Sequence, residues 1–248
     1  MELLKQAGFA GLARWLHILS GICWIGLLYF FNFVQVPAYA AMDATARNHA
    51  INNVTRRTLW WFRWAAVATF LTGILIALLT SDYFTDFGKT ARGVSISTGM
   101  LIAIIMLLNV WGVIWRNQKI VLANAEAVLA GQPANPDAPA AGRKAVMASR
   151  QNALFSIVMV FLMIFPSHLA TLGKYSAVIY ESSKTGTYWA ISMILIIVLE
   201  LNCLGLMPWK FEPKKGLNVL YDSVRNVLIA GFGLWLVFFI LWSTLMNP

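Results

Sequence analysis

Residues 11–36 read GLARWLHILSGICWIGLLYFFNFVQV, with a single charged side chain, Arg14, and one histidine, His17. A helix that crosses a bilayer needs roughly 20 mainly apolar residues, so this stretch by itself assigns the chain to a membrane. Five further stretches meet the same requirement, at 59–80, 94–115, 152–172, 187–207 and 224–246. The composition agrees: of 248 residues, 59% are hydrophobic and only 12% charged, with a mean hydropathy of +0.68. A soluble domain of this length carries about twice that charge. The expected fold is therefore all-α, a polytopic integral membrane bundle of about six transmembrane helices forming one domain over 1–248. The longest polar insertion, about 117–150, contains the run GQPANPDAPA at 131–140 and reads as a flexible cytoplasmic loop.

Ala38-Tyr39-Ala40 after the first segment resembles a signal-peptidase site. The apolar run before it exceeds the roughly 7–15 residues of a signal peptide, so the segment is expected to be retained as a helix. Cys23 and Cys203 both fall within spans, where a thiol behaves as a small apolar side chain, and no disulfide is expected. Most of the tryptophans cluster near span ends, as in an interfacial aromatic belt.

Lysine and arginine set the orientation, because basic loops stay on the cytoplasmic side. The connections after spans one, three and five carry Arg47, Arg56, Arg57, Arg63, Arg116, Lys119, Arg143, Lys144, Arg150, Lys210, Lys214, Lys215 and Arg225, which are 13 of the 19 basic residues. Both termini are thus expected on the periplasmic side of a bacterial inner membrane. The net charge of +9 follows from this topology and from contact with anionic lipid, and gives no reason to expect a nucleic acid partner.

In this topology His17 lies roughly 9 Å below the outer face, and His168 roughly 6 Å below the same face, at 1.5 Å per helical residue. Two imidazoles at one depth on separate helices are a ligand set for haem b, and no CxxCH motif for covalent attachment is present. Gly21, one turn after His17, would leave room for a macrocycle, and Arg14, one turn before, would face its propionates. The alternative is that each histidine only hydrogen-bonds a neighbouring helix. Pro166, two residues before His168, removes a backbone hydrogen bond and is placed to bend the fourth span.

A second polar group lies towards the basic side: Asn32, Gln35, Arg63, Asn109, Glu200 and Asn202. Glu200 is the one carboxylate well inside a span, which requires protonation, a cation such as Arg63, or a wet cavity. Glu200, Arg63 and Asn109 are the candidate catalytic residues for a small polar or quinone-like ligand. The competing reading is a set of interhelical hydrogen bonds that fixes the bundle. His49 falls in the first basic connection and reads as solvated. No P-loop, GxGxxG, GxSxG or HExxH is present, so nucleotide-driven and hydrolytic chemistry lack support.

Three stretches carry a resemblance. His17 to Gln35, Leu108-Asn109-Val-Trp111-Gly-Val-Ile-Trp115-Arg-Asn-Gln118-Lys119, and Arg150-Gln-Asn152-Ala-Leu-Phe-Ser156-Ile157 on to His168 resemble the bacterial membrane-bound urate hydroxylase family, in its urate oxidase N-terminal membrane domain. The third departs at Ile157, where the family pattern has a proline after the serine. The resemblance implies an oxidoreductase of the respiratory chain whose membrane domain delivers electrons from urate to a periplasmic cytochrome c. These 248 residues hold no CxxCH, so that acceptor is expected to be a separate protein. Two readings stay open: an electron-transfer protein with haem b at His17 and His168, or a non-catalytic accessory subunit of a larger respiratory or oxygenase complex. A transporter using Glu200 and Arg63 is a third.

Overall fold

A computed structural model describes residues 6–79, 87–171 and 182–246, and these are overwhelmingly helical. Six helices are long and apolar enough to cross a membrane. They are α1 (Gln6–Ala41), α2 (Ala44–Leu79), α3 (Ala91–Leu129), α4 (Ala138–Thr171), α5 (Thr185–Cys203) and α6 (Val224–Met246). Helix α4 is the hub, packing on α1, α3, α5 and α6, while α1 lies mainly along α2. Accordingly 61% of the apolar window of α4 is buried inside the protein, against 22% for α1 and for α6, whose outer faces are left for lipid.

Two close approaches fix the positions of these helices. A Cβ at Gly99 would lie 3.2 Å from Met163 and 3.4 Å from the Met159 carbonyl, so α3 and α4 meet backbone to backbone there. A Cβ at Gly231 would lie 2.6 Å from Ile157 and 3.3 Å from the Leu154 carbonyl, which does the same for α4 and α6. Between them the core is filled by Phe62, Ile102, Met106, Phe155, Val158 and Phe238, all fully buried. Such small-residue contacts are how helices associate where lipid removes the hydrophobic drive between them.

The helices run well past the apolar segments. Residues 115–129 and 138–150 are helical, so the expected loop shrinks to the short connection between α3 and α4. The reason is composition: the stretch Val121-Leu-Ala-Asn-Ala-Glu-Ala-Val-Leu129 is polar enough to leave the bilayer but rich in strong helix formers. Gly131 (φ +75°) ends α3 by a left-handed turn, with Gln132 N donating to Ala127 O at 2.9 Å and Gly131 N to Val128 O at 3.0 Å. The same motif at Gly205 (φ +71°) stops α5 at Cys203, short of the expected Met207. Helix α2 begins fifteen residues before its apolar run, capped by the Asp43 carboxylate, which accepts from the Thr45 and Ala46 amides at 2.9 and 3.0 Å. Those amides, Ala46 foremost, hold the Asp43 carboxyl below its ordinary range.

The three basic connections gather at one end of the bundle. Arg56 pairs with Glu126 across α2 and α3 at 2.8 Å, and Arg143 at the start of α4 pairs with Asp222 before α6 at 3.0 Å. Four π-helical turns interrupt the helices, at Phe30–Gln35, Ile51–Thr55, Asn109–Ile114 and Trp242–Met246. The first precedes Pro37, whose missing N–H removes a bond from the preceding turn.

Candidate functional site

At the end away from the basic connections, His17 is half-buried against α2. Its Nδ1 lies 2.8 Å from the Thr69 carbonyl and 3.2 Å from the Thr72 hydroxyl. A carbonyl only accepts, so Nδ1 carries the proton and Nε2 keeps a free lone pair. The hydrogen bond to a neighbouring helix, one of the two open readings, is therefore present at His17, and Nε2 lies outside that bond. Gly73 forms the wall behind the ring: a Cβ there would lie 3.1 Å from Cε1.

Helix α4 runs antiparallel to α1, since Tyr29 contacts Ser156 at 2.9 Å and Asn32 contacts Ser149 at 2.8 Å. Counting 12 residues back from Tyr29 and 12 forward from Ser156 reaches His17 and His168, each about 18 Å along its helix. The two histidines thus share a level, and the His168 side chain is exposed on the final turns of α4. A Cβ at Gly21 would meet one atom, the Thr69 methyl at 3.9 Å, an ordinary van der Waals contact, so the position borders α2 without being filled by it. Trp24 and Leu28, on the same stripe, are fully buried in the core. Arg14 is exposed, one turn from His17.

The second polar group divides in two. Asn109 on α3 donates to Glu200 on α5 at 3.2 Å and to Asn152 on α4 at 3.1 Å, while Asn152 donates to the Met106 carbonyl at 2.9 Å. This chain ties three helices together. Arg63 takes no part in it: its Nε donates to the Leu59 carbonyl at 3.1 Å, and its guanidinium carbon stacks 3.4 Å from the Trp115 ring centre and 5.2 Å from that of Trp111. The expected option of an Arg63–Glu200 pair is replaced by cation–π contact. Asn109→Leu is expected to cost about 1–3 kcal/mol of bundle stability, because Asn152 Oδ1 is left unpaired, whereas Glu200→Gln keeps an acceptor for Asn109 and is expected to be nearly neutral. Detergent-unfolding midpoints of the two variants check this.

Tyr221, which the sequence did not single out, closes this end. Its phenol donates to Gln151 Oε1 and its carbonyl accepts from Arg150, both at 2.5 Å. Burial pushes the phenol above its usual range, so it remains a donor. Beside α1, Asn32 donates to the Leu28 carbonyl and to Ser149 Oγ, each at 2.8 Å, while Gln35 Oε1 accepts from Thr55 at 3.2 Å. Asn32 and Gln35 were legible as polar residues in an apolar span, whereas the π-helical turns that carry them and Thr55 were announced by no residue pattern. Cys203 is buried and Cys23 half-buried, both free.

Fold and sites together define a multi-pass α-helical membrane protein with a histidine level at one end and amide-rich polar clusters at the other. Residues 85–197, a little under half of the chain, match the family model described as urate oxidase N-terminal. The match covers α3, α4 and most of α5, and includes two of the three stretches that carry the resemblance to the urate hydroxylase membrane domain. No curated protein and no solved structure matches the chain.

Proposed function

We propose that this urate hydroxylase-like membrane protein is an electron-transfer protein of the bacterial inner membrane, holding haem b at His17 and His168 near the periplasmic face and passing electrons to a cytochrome c on that face. The observation that carries this reading is the Nδ1 bond of His17 to the Thr69 carbonyl at 2.8 Å, which orients the ring and directs its proton away from Nε2. Imidazoles that bind metal are held by such a bond in most metal sites. Haem iron in this position would supply reversible one-electron chemistry. The chain's own part is to fix one imidazole against Thr69, Thr72 and Gly73, to offer a second at the same level, and to present Arg14 within a turn for propionate charge. In this reading both termini face the periplasm, where the cytochrome would dock.

The Glu200–Asn109–Asn152 chain lies elsewhere. Asn152 is 16 residues from His168 along α4, about 24 Å, so a ligand held at Glu200 would not touch a group held at His17. Glu200 and Asn109 then serve to fix the bundle and carry a proton at its far end, and Arg63 positions Trp111 and Trp115. A dithionite-reduced minus air-oxidised spectrum of the detergent-purified chain tests the reading, with haem quantified per chain. One b-type haem is the expected result. Colourless protein that co-purifies with a larger complex would instead establish the accessory-subunit reading.

A further inference from the structure

A cavity opens at the basic end between α1, α2, α3 and α4, on the Asn32 and Gln35 side of the second polar group and apart from His17 and from the Glu200–Asn109–Asn152 chain. Its outer chamber, about 230 Å³, is lined by Gln35, Tyr39, Arg47, Thr55 and Gln118 with aliphatic walls such as Val36. A narrower chamber of about 30 Å³ continues inward to Asn32, and Gln35, Val36 and Gln118 border both. The inner space is the size of one water or one small ligand group.

Three features make this a built site. Asn32 is 1% exposed, and its Oδ1 has no hydrogen-bond partner although both protons of its amide find acceptors. A buried acceptor left open in this way costs stability unless something donates to it. Next, the Gln118 side chain makes no hydrogen bond among the described residues, so a second carboxamide borders the cavity unused. Third, residues from three separate π-helical turns line it: Asn32 and Gln35 on α1, Ile51 and Thr55 on α2, and Ile114 on α3. Such turns are rare and concentrate at functional sites.

The lining selects the ligand. Arg47 is the only charged residue around either chamber, and no carboxylate lines them, so a cation is disfavoured and an anion has one partner at the mouth. Asp43 lies near Arg47, but its carboxylate is already taken by the Thr45 and Ala46 amides. Aliphatic side chains form the walls between Arg47 and the carboxamides. The space is smaller than the roughly 300–1,000 Å³ clefts of drug-sized ligands. We propose that this cavity binds a small organic monoanion, such as a hydroxylated carboxylate, which places its charge at Arg47 and a hydrogen-bond donor at its other end on Asn32 Oδ1. The site is independent of the haem reading, since Asn32 is 15 residues from His17 along α1, about 22 Å.

Equilibrium dialysis of labelled 4-hydroxybenzoate and benzoate against the detergent-solubilised full chain tests the proposal. Saturable binding of one 4-hydroxybenzoate per chain is expected, at least tenfold tighter than benzoate, which lacks the donor. Arg47→Ala should weaken both probes at least tenfold, and Asn32→Leu should abolish the preference for the hydroxyl. Because Asn32 is buried, Gln118→Leu at a half-buried position provides a second test and should weaken 4-hydroxybenzoate several-fold in folded protein. Absence of saturable binding, which would mean a cavity filled by water only, overturns the proposal, as does equal affinity in wild type and Arg47→Ala.

Discussion

On the haem b reading, His17→Ala is expected to yield a purified chain with no b-type absorbance while leaving the bundle folded. The imidazole is the only contribution of α1 to that level with a metal-binding nitrogen, and Thr69 fixes which nitrogen it is. Loss of the ring costs little elsewhere, because the Thr69 carbonyl keeps the Thr72 hydroxyl at 3.0 Å as a donor. His49→Ala, an exposed position near the basic end, should leave the spectrum unchanged. Gly73→Val is the sharper variant: its Cβ would start 3.1 Å from Cε1 and turn the ring without removing it. Displacing an orienting neighbour of a metal ligand typically weakens metal binding about 10–100-fold, so haem should be retained less tightly rather than lost. A wild-type spectrum in His17→Ala would remove His17 from the site altogether.

Span number was legible in the sequence because the bilayer imposes a single strong requirement, about 20 apolar residues per crossing. Span ends were not, because hydropathy measures transfer into lipid and is silent on helix propensity. Ala44 to Arg57 on α2 and Trp115 to Leu129 on α3 show the difference: both are polar, both are helical, and together they build the basic end where Arg56 meets Glu126. Gly205 lies inside the apolar stretch 187–207, yet its positive φ makes it the turn that ends α5. Gly73 and Gly99, inside their apolar stretches, are close contacts between helices.

The site was legible in its levels and obscure in its pairings. Rise per residue is nearly constant, so His17 and His168 could be placed at one depth by counting. Which face a residue turns to depends on helix rotation, and there Arg63 lies on Trp115, where a pair with Glu200 was one of the options the sequence left open. A guanidinium can satisfy itself on an indole face as well as on a carboxylate, so the presence of one buried Glu and one buried Arg does not imply a pair. The amide chemistry at Asn109 and Asn152 was half visible, since Asn109 was named and its partner on α4 was not.

Gly231→Leu should destabilise the bundle more than any substitution on its lipid-facing surfaces. The position is buried on α6, and an added Cβ would sit 2.6 Å from Ile157 Cδ1, 3.3 Å from the Leu154 carbonyl and 3.5 Å from the Leu154 Cα. The isoleucine methyl can rotate away, but the backbone of the central helix cannot. Accommodating a side chain therefore means pushing α6 off α4, which also disturbs the edge-on contacts of Phe161 on α4 with Trp235 and Phe239 on α6. Overpacking of this kind costs about 1–3 kcal/mol, and contact with fixed backbone places this case at the upper end. Gly233→Leu, two residues on, meets nothing within 4 Å and changes only a lipid-facing surface. The unfolding midpoint in detergent should therefore fall sharply for Gly231→Leu and stay at the wild-type value for Gly233→Leu. Equal midpoints for the two variants would mean that α4 and α6 do not approach each other at Gly231.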